Sequence, residues 1–143
     1  QAQARGAHNR MLAAELREES GYDLSELKLL QYSKDTLHCK DAIVHPVPLL
    51  ENTHYVGNAH YHSDRCYAFV AIDIAGFDLA KDESTDLRWL SLADLRRLAE
   101  TGEALQDVVE IYDYILAHLD EYYEVDPTLF SLAKPKKGLT YKR

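Results

Sequence analysis

The most constraining feature of the sequence is a nearly continuous apolar run, residues 67–74 (YAFVAIDI), at the end of the longer stretch 60–74. A short apolar run between polar segments is typical of a strand that lies near the centre of a sheet. The run therefore predicts one strand over residues 60–74, in a position where the sheet is most protected from solvent.

Other segments extend this predicted sheet. Residues 51–59 predict a loop that turns at Gly57 and Asn58. Pro46 and Pro48 lack a backbone N–H, so the segment that contains them is confined to a sheet edge or to the exit from a strand. The predicted strands are 27–33, 39–50, 60–74 and 86–92.

Helical patterns lie on both sides of these strands. Residues 1–20 are rich in good helix formers, and Gly21 suits the position just past a helix end. Residues 92–99 predict a helix that Ser91 caps. Apolar residues at three- and four-residue steps predict a further amphipathic helix: Leu105, Val108, Val109, Tyr112, Ile115, Leu116 and Leu119. This order of elements predicts an α+β or mixed α/β fold.

Length and composition limit the class of protein. The 143 residues suit a single domain, which we place at 1–126, followed by a basic tail at 127–143 that we expect to be mobile. A formal charge of −8 argues against broad nucleic-acid binding, and no apolar run has the length of a membrane span. Two cysteines suggest a reducing compartment. We therefore expect a cytoplasmic protein without nucleic-acid or membrane partners.

Three glutamates crowd one face of the first predicted helix. Glu15, Glu18 and Glu19 stand at positions i, i+3 and i+4, where like charges repel one another. One interpretation is a solvated surface. The other is a site for Mg²⁺ or Mn²⁺, because carboxylate oxygens suit these ions and a bound cation offsets the repulsion. Such a site favours cleavage at a phosphorus centre.

The segment 15–22 (ELREESGY) resembles the second half of the Nudix box, G-x5-E-x7-R-E-U-x-E-E-x-G-U, in which U is apolar. Residues 82–95 (DESTDLRWLSLADL) are similar to the late segment of Nudix domains. Residues 41–48 (DAIVHPVP) and 59–70 (AHYHSDRCYAFV) resemble the D-x-x-V-H-x-I-P and H-x-H-x-D stretches of a bacterial Nudix subgroup. The resemblance spans about residues 10–120. It implies an α/β/α sandwich with a mixed sheet.

The resemblance also implies roles for individual residues. Glu15, Glu18 and Glu19 fall on the positions of metal ligands for Mg²⁺ or Mn²⁺, with Glu15 and Glu18 counted as catalytic. Glu83 falls where many family members place a further acidic group, which binds metal or helps to activate water. The implied reaction is hydrolysis of a diphosphate bond in a nucleoside diphosphate linked to another group. The implied partner is a small-molecule nucleotide or diphosphate, and homodimers are common in the family.

Two positions depart from the Nudix box. Ala14 stands where the box has arginine, and Gly6 stands where the box has its earlier glutamate. The opening glycine of the box would precede residue 1, which predicts that the first strands of such a domain lie upstream. These departures leave open a second hypothesis, a Nudix-like module that binds nucleotide without hydrolysing it.

A second group of polar side chains lies in the middle of the chain. His60, His62 and Asp64 alternate, so on a strand they point to one face, and His45 lies on the preceding predicted strand. Imidazole and carboxylate are ordinary transition-metal ligands, which makes a zinc or iron site one alternative. A polar sheet face is another. Within the Nudix resemblance, these four side chains are expected to contact the substrate.

Three residues near these segments are expected to be structural. Cys66 continues the strand face of His60 and His62 into the apolar run, and we predict a buried thiol. Tyr67 and Trp89 lie among apolar neighbours. We predict that both pack in the core rather than stack on a base.

Overall fold

The computed structural model describes residues 16, 20–42, 44–72 and 89–130. The chain divides into two compact units, Gln1–Ser84 with Tyr123–Arg143, and Thr85–Tyr122. The predicted site residues Glu15, Glu18, Glu19 and Glu83 lie outside the described residues.

The first unit is built around a three-stranded antiparallel sheet. Strand β1 (Leu27–Gln31) lies between β4 (Phe69–Ala71) and β5 (Tyr123–Val125). Leu29 of β1 pairs with Phe69 on one side and with Val125 on the other. The predicted strand at 27–33 is confirmed, although it ends at Gln31.

The core of the first unit gathers apolar side chains from distant parts of the sequence. The buried cluster consists of Leu24, Leu29, Val125 and Phe130, and partly buried Leu16, Tyr67 and Phe69 pack against it. Phe130 ends a 3₁₀ turn, Pro127–Phe130, whose first residue is also buried. The segment in which we placed the start of a mobile tail therefore begins inside the core. Tyr67 takes part in the core as predicted.

The first unit also contains a two-stranded antiparallel hairpin, β2 (Leu50–Gly57) and β3 (His60–Cys66). The prediction of a loop over 51–59 was wrong, because β2 occupies most of it. Its Thr, Tyr and Val side chains favour an extended backbone. The turn is formed by Asn58 and Ala59, one residue later than predicted, and both have positive φ angles.

The predicted strand at 39–50 was wrong. Among the described residues of this segment, only Leu50 belongs to a strand. Pro46 and Pro48 explain the failure, since neither can donate a backbone hydrogen bond to a neighbouring strand.

The predicted strand at 60–74 is two strands that belong to different sheets. β3 ends at Cys66 and β4 begins at Phe69. The backbone between them bonds in two directions: the Leu49 amide donates to the Cys66 carbonyl at 2.9 Å, and the Leu30 amide donates to the Ala68 carbonyl at 3.0 Å. The apolar run therefore does not form one central strand.

The second unit contains two helices, α1 (Leu92–Glu100) and α2 (Gln106–Ala117), and both were predicted. Ser91 caps α1 as expected, because its side chain accepts a hydrogen bond from the Asp94 amide. Arg96 of α1 and Asp113 of α2 form an ion pair at 3.3 Å.

Two predictions next to α1 were wrong. A strand was predicted over 86–92. Of the part that precedes α1, residues 89–91 are described, and they form no strand. Trp89 was expected in the core, yet 82% of it is exposed. Its apolar neighbours Leu92 and Leu95 belong to a helix rather than to a strand.

The architecture confirms the α+β class. Every strand pair in the described part of the chain is antiparallel. Within the same residues, none of the helices combines the length and the apolar character needed to cross a membrane.

Candidate functional site

One face of the β2–β3 hairpin carries a group of polar side chains that could bind a ligand. Its register places Asn52 opposite Asp64 and His54 opposite His62. The His54 and His62 ring centroids are 5.9 Å apart, and those of His60 and His62 are 5.1 Å apart, both in edge-on arrangements. We call Asn52, His54, His60, His62 and Asp64 the histidine face.

Hydrogen-bond acceptors surround one nitrogen of His54. Its Nδ1 lies 3.4 Å from Oδ2 of Asp64 and 3.3 Å from Oδ1 of Asn52. A proton on Nδ1 therefore meets two oxygen acceptors, which leaves Nε2 with a free lone pair. The side chains of His54 and Asp64 are 45% and 53% exposed, so their contact adds little to stability but is open to ligands.

Cys66 lies at the end of the histidine face and is partly exposed, so the predicted burial of its thiol is incomplete. Asn52 donates a hydrogen bond to the Cys66 sulfur at 3.7 Å. Burial raises the pKa of the Cys66 thiol, and the negative charge of Asp64 raises it further. The thiol is therefore held protonated, as suits a structural cysteine rather than a nucleophile.

The opposite face of the hairpin has a structural explanation. Its cross-strand pairs are Tyr55 with Tyr61, Thr53 with Ser63, and Glu51 with Arg65. Aromatic, hydroxyl and opposite-charge pairs of this kind stabilise antiparallel strands. The histidine face differs because its imidazoles retain unused nitrogen donors or acceptors.

The structure brings together three of the four side chains predicted to contact the substrate. His60, His62 and Asp64 share the histidine face, as their alternation predicted. His45 was placed on a neighbouring strand, and this was wrong: it is exposed in the non-strand segment before β2. His54 was missed because residues 51–59 were interpreted as a loop. The alternation of Asn52, His54 and Val56 is the signal that could have revealed it.

The sequence suggested two metal sites, one for a transition metal at the His and Asp side chains and one for Mg²⁺ at the glutamates. Among the described residues, no group of three or more His, Cys, Asp and Glu side chains is placed to hold a metal ion. The alternative metal site of His45, His60, His62 and Asp64, all of which are described, is therefore not assembled. For Mg²⁺, the proposed donors are carboxylates, whose hard oxygens match this ion.

The described residues of the segment 15–22 show how its helix contacts the core and where the helix ends. Leu16 and Ser20 are both helical, and Leu16 packs against the buried cluster. The Ser20 hydroxyl donates to the Leu16 carbonyl and accepts from the Tyr22 amide. Gly21 has a φ of +73°, a conformation that glycine adopts readily, so the helix ends there as predicted.

Comparisons of the chain with protein-family models, with curated proteins and with solved structures gave no match. The Nudix resemblance therefore depends on the residues of the sequence itself.

Proposed function

We propose that the chain is a Nudix-type hydrolase that cleaves a diphosphate bond in a nucleoside diphosphate linked to another group. The observation that carries the proposal is the segment 15–22 (ELREESGY), which has the spacing of the second half of the Nudix box. The proposal includes the Nudix α/β/α sandwich as the finer description of the α+β fold.

Two described residues of this segment support the proposal. A helix that presents ligands on one face needs an apolar anchor on another, and Leu16 supplies one by packing against the buried cluster. The box places glycine at its end, and Gly21 has a φ of +73° there. A 3₁₀ turn, Leu24–Glu26, and strand β1 follow, in the order that a Nudix domain requires.

The chain's acidic groups would divide the chemistry between them. Glu15, Glu18 and Glu19 would hold Mg²⁺ or Mn²⁺, which supplies charge neutralisation at the diphosphate and acidifies a bound water. Glu83 would share the ion or accept a proton from the attacking water. The water attacks one phosphorus, the bridging oxygen leaves with the other, and two phosphorylated fragments result.

The histidine face would contribute to substrate binding. His60 and His62 carry ring N–H groups that can donate hydrogen bonds to phosphate oxygens. Asp64 can accept hydrogen bonds from a base or a ribose hydroxyl. These groups are exposed on one hairpin face, which suits contact with a ligand that arrives from solvent.

A second candidate function is a Nudix-like module that binds nucleotide without hydrolysis. Ala14 favours it, since the box places an arginine there that orients the acidic side chains. Without that arginine, the carboxylates depend on other contacts for their geometry.

The experiment that tests both candidates uses the full 143-residue chain with Mg²⁺ and a panel of nucleoside diphosphate derivatives. We expect turnover, and we expect Glu18→Gln and Glu19→Gln each to lower kcat by about 100-fold or more. Glu103→Gln is a matched control, because Glu103 is exposed in the second unit.

Three outcomes separate the hypotheses. Loss of turnover in the Glu18 and Glu19 variants alone supports the hydrolase. Full activity in both variants overturns the assigned roles. Calorimetric binding of a nucleotide that stays intact over hours with Mn²⁺ supports the binding module instead.

A further inference from the structure

We propose that His54 and His62 chelate a transition-metal dication, such as Zn²⁺, Ni²⁺ or Cu²⁺, across the β2–β3 hairpin. His60 lies next to His62, with ring centroids 5.1 Å apart, but it is not one of the ligands. The ligands differ from the carboxylates assigned to Mg²⁺, and the proposal does not depend on hydrolase activity.

The hairpin register fixes the distance between the two ligands. His54 and His62 are Cα partners in an antiparallel pair, so both side chains leave the same face. Their ring centroids are 5.9 Å apart. With metal–nitrogen bonds of about 2.0–2.1 Å, two imidazoles on one ion need a separation close to this value. Rotation of two exposed side chains closes the remaining difference without moving the backbone.

The surroundings of His54 favour one ligating nitrogen. Asp64 Oδ2 and Asn52 Oδ1 both lie within 3.4 Å of Nδ1. A proton held on Nδ1 by these oxygens leaves Nε2 free to bind the ion, the arrangement in which a carboxylate orients a metal-ligating histidine. Asp64 is therefore a positioning residue in this site rather than a ligand.

The donor set selects the class of ion. Imidazole nitrogens suit Zn²⁺, Cu²⁺ and Ni²⁺, whereas Mg²⁺ prefers oxygen ligands. Among the described residues, no third His, Cys, Asp or Glu is placed to bind the same ion. Water therefore completes the coordination of the metal. Because His54 is well exposed, the ion exchanges with solvent. Protons compete for the same nitrogens, so binding weakens at acid pH.

The test is a Zn²⁺ titration by isothermal calorimetry on the full chain, with excess Mg²⁺ present to occupy carboxylate sites. The chain carries Cys39→Ser, which removes an exposed thiol that would itself bind Zn²⁺. We expect one Zn²⁺ per chain. His54→Gln and His62→Gln should each weaken binding by more than tenfold, and Asp64→Asn should weaken it by about tenfold.

His38→Gln is the matched control, because His38 is exposed outside the hairpin, where its ring hydrogen-bonds to the Thr36 hydroxyl. It should bind Zn²⁺ as the parent chain does. A second measurement needs no hairpin variant: Cu²⁺ should broaden the NMR signals of residues 52–64 before all others. Unchanged Zn²⁺ affinity in the His54 and His62 variants overturns the proposal, as does the absence of saturable binding. Hydrolysis with Mg²⁺ is measured in a separate assay, so a chain that fails to hydrolyse nucleotides can still show the predicted Zn²⁺ binding.

Discussion

Gln31 and Val47 are joined by a reciprocal pair of hydrogen bonds. Gln31 Nε2 donates to the Val47 carbonyl at 2.8 Å, and the Val47 amide donates to Gln31 Oε1 at 2.9 Å. The side-chain amide thus takes the place of a neighbouring strand for a segment in which Pro46 and Pro48 have no N–H to offer. Gln31 is only 4% exposed, so this pair fixes the segment before β2 against β1.

Replacement of Gln31 by leucine should therefore destabilise the first unit. The change removes the partner of both Val47 backbone groups, and the loss of two partly buried hydrogen bonds at about 0.5–1.5 kcal/mol each should lower the free energy of unfolding by about 1–3 kcal/mol. Urea unfolding measures the loss. Lys34→Ala is an exposed control that should stay within about 0.5 kcal/mol of the parent chain. A Gln31→Leu variant as stable as that control would contradict the role of the pair.

The second prediction concerns Leu29, which is fully buried at the centre of β1 and of the core cluster. Leu29→Ala removes apolar contacts and leaves a cavity, so we expect the free energy of unfolding to fall by about 2–5 kcal/mol. Leu37→Ala is the same chemical change at a position that is 68% exposed. Denaturant unfolding should show almost no effect there. Equal effects in both variants would show that Leu29 does not lie in the core.

The third prediction concerns Asp126, whose pKa is lowered chiefly by a hydrogen bond from the Thr128 hydroxyl and also by one from the Thr128 amide. A folded-state pKa below the unfolded value means that these bonds stabilise the fold above the unfolded pKa. That contribution is lost as the pH falls through the folded pKa.

Thr128→Val removes the hydroxyl donor and keeps the shape of the side chain. The pKa of Asp126 should therefore rise toward its ordinary value, whereas Thr128→Ser should keep it low. An NMR titration of the Asp126 carboxyl group measures both. An unchanged pKa in the valine variant would mean that the hydroxyl does not bond to the carboxylate.

The helices were predictable because their signals are local. The cap at Ser91 and the apolar steps of α2 involve residues within one or two turns of each other. The strands depend on partners far along the chain. The stretch 60–74 divides because Leu49 bonds to one half and Leu30 to the other, and no local pattern contains that information.

The candidate site was likewise predictable only where its signal is local. The alternation of His60, His62 and Asp64 is local, and it placed them correctly on one face. Whether His45 or His54 joins them depends on which segment pairs with β3. The apolar content of 39–50 favoured the wrong segment, since the two prolines there outweigh its hydrophobicity.

The fourth prediction concerns the start of α1. The Ser91 hydroxyl accepts from the Asp94 amide at 3.1 Å, and the Asp94 carboxylate accepts from the Ser91 amide at 3.3 Å. Ser91→Ala breaks this capping box and should cost about 0.5–2 kcal/mol. Hydrogen exchange of the first amides of α1 should accelerate accordingly, while Ser91→Thr should leave it nearly unchanged. Equal exchange in the alanine variant would show that the cap contributes nothing.

The last prediction separates backbone strain from crowding at Gly57, the residue of β2 that precedes the hairpin turn. Its φ is +101°, and a Cβ added there would meet nothing within 4 Å. Gly57→Ala should therefore destabilise the hairpin by about 1–2 kcal/mol through the backbone alone. Ala59, at a φ of +56°, offers the opposite change, because Ala59→Gly relieves an unfavourable conformation.

Hydrogen exchange of the hairpin amides distinguishes the two variants, with faster exchange expected for Gly57→Ala and slower exchange for Ala59→Gly. Gly102→Ala extends the comparison to the second unit, since Gly102 has a φ of +77° and similar open space. It should accelerate exchange near the end of α1 and leave the hairpin unchanged. If Gly57→Ala does not alter hairpin exchange, the turn does not hold the left-handed conformation on which the pairing of His54 with His62 depends.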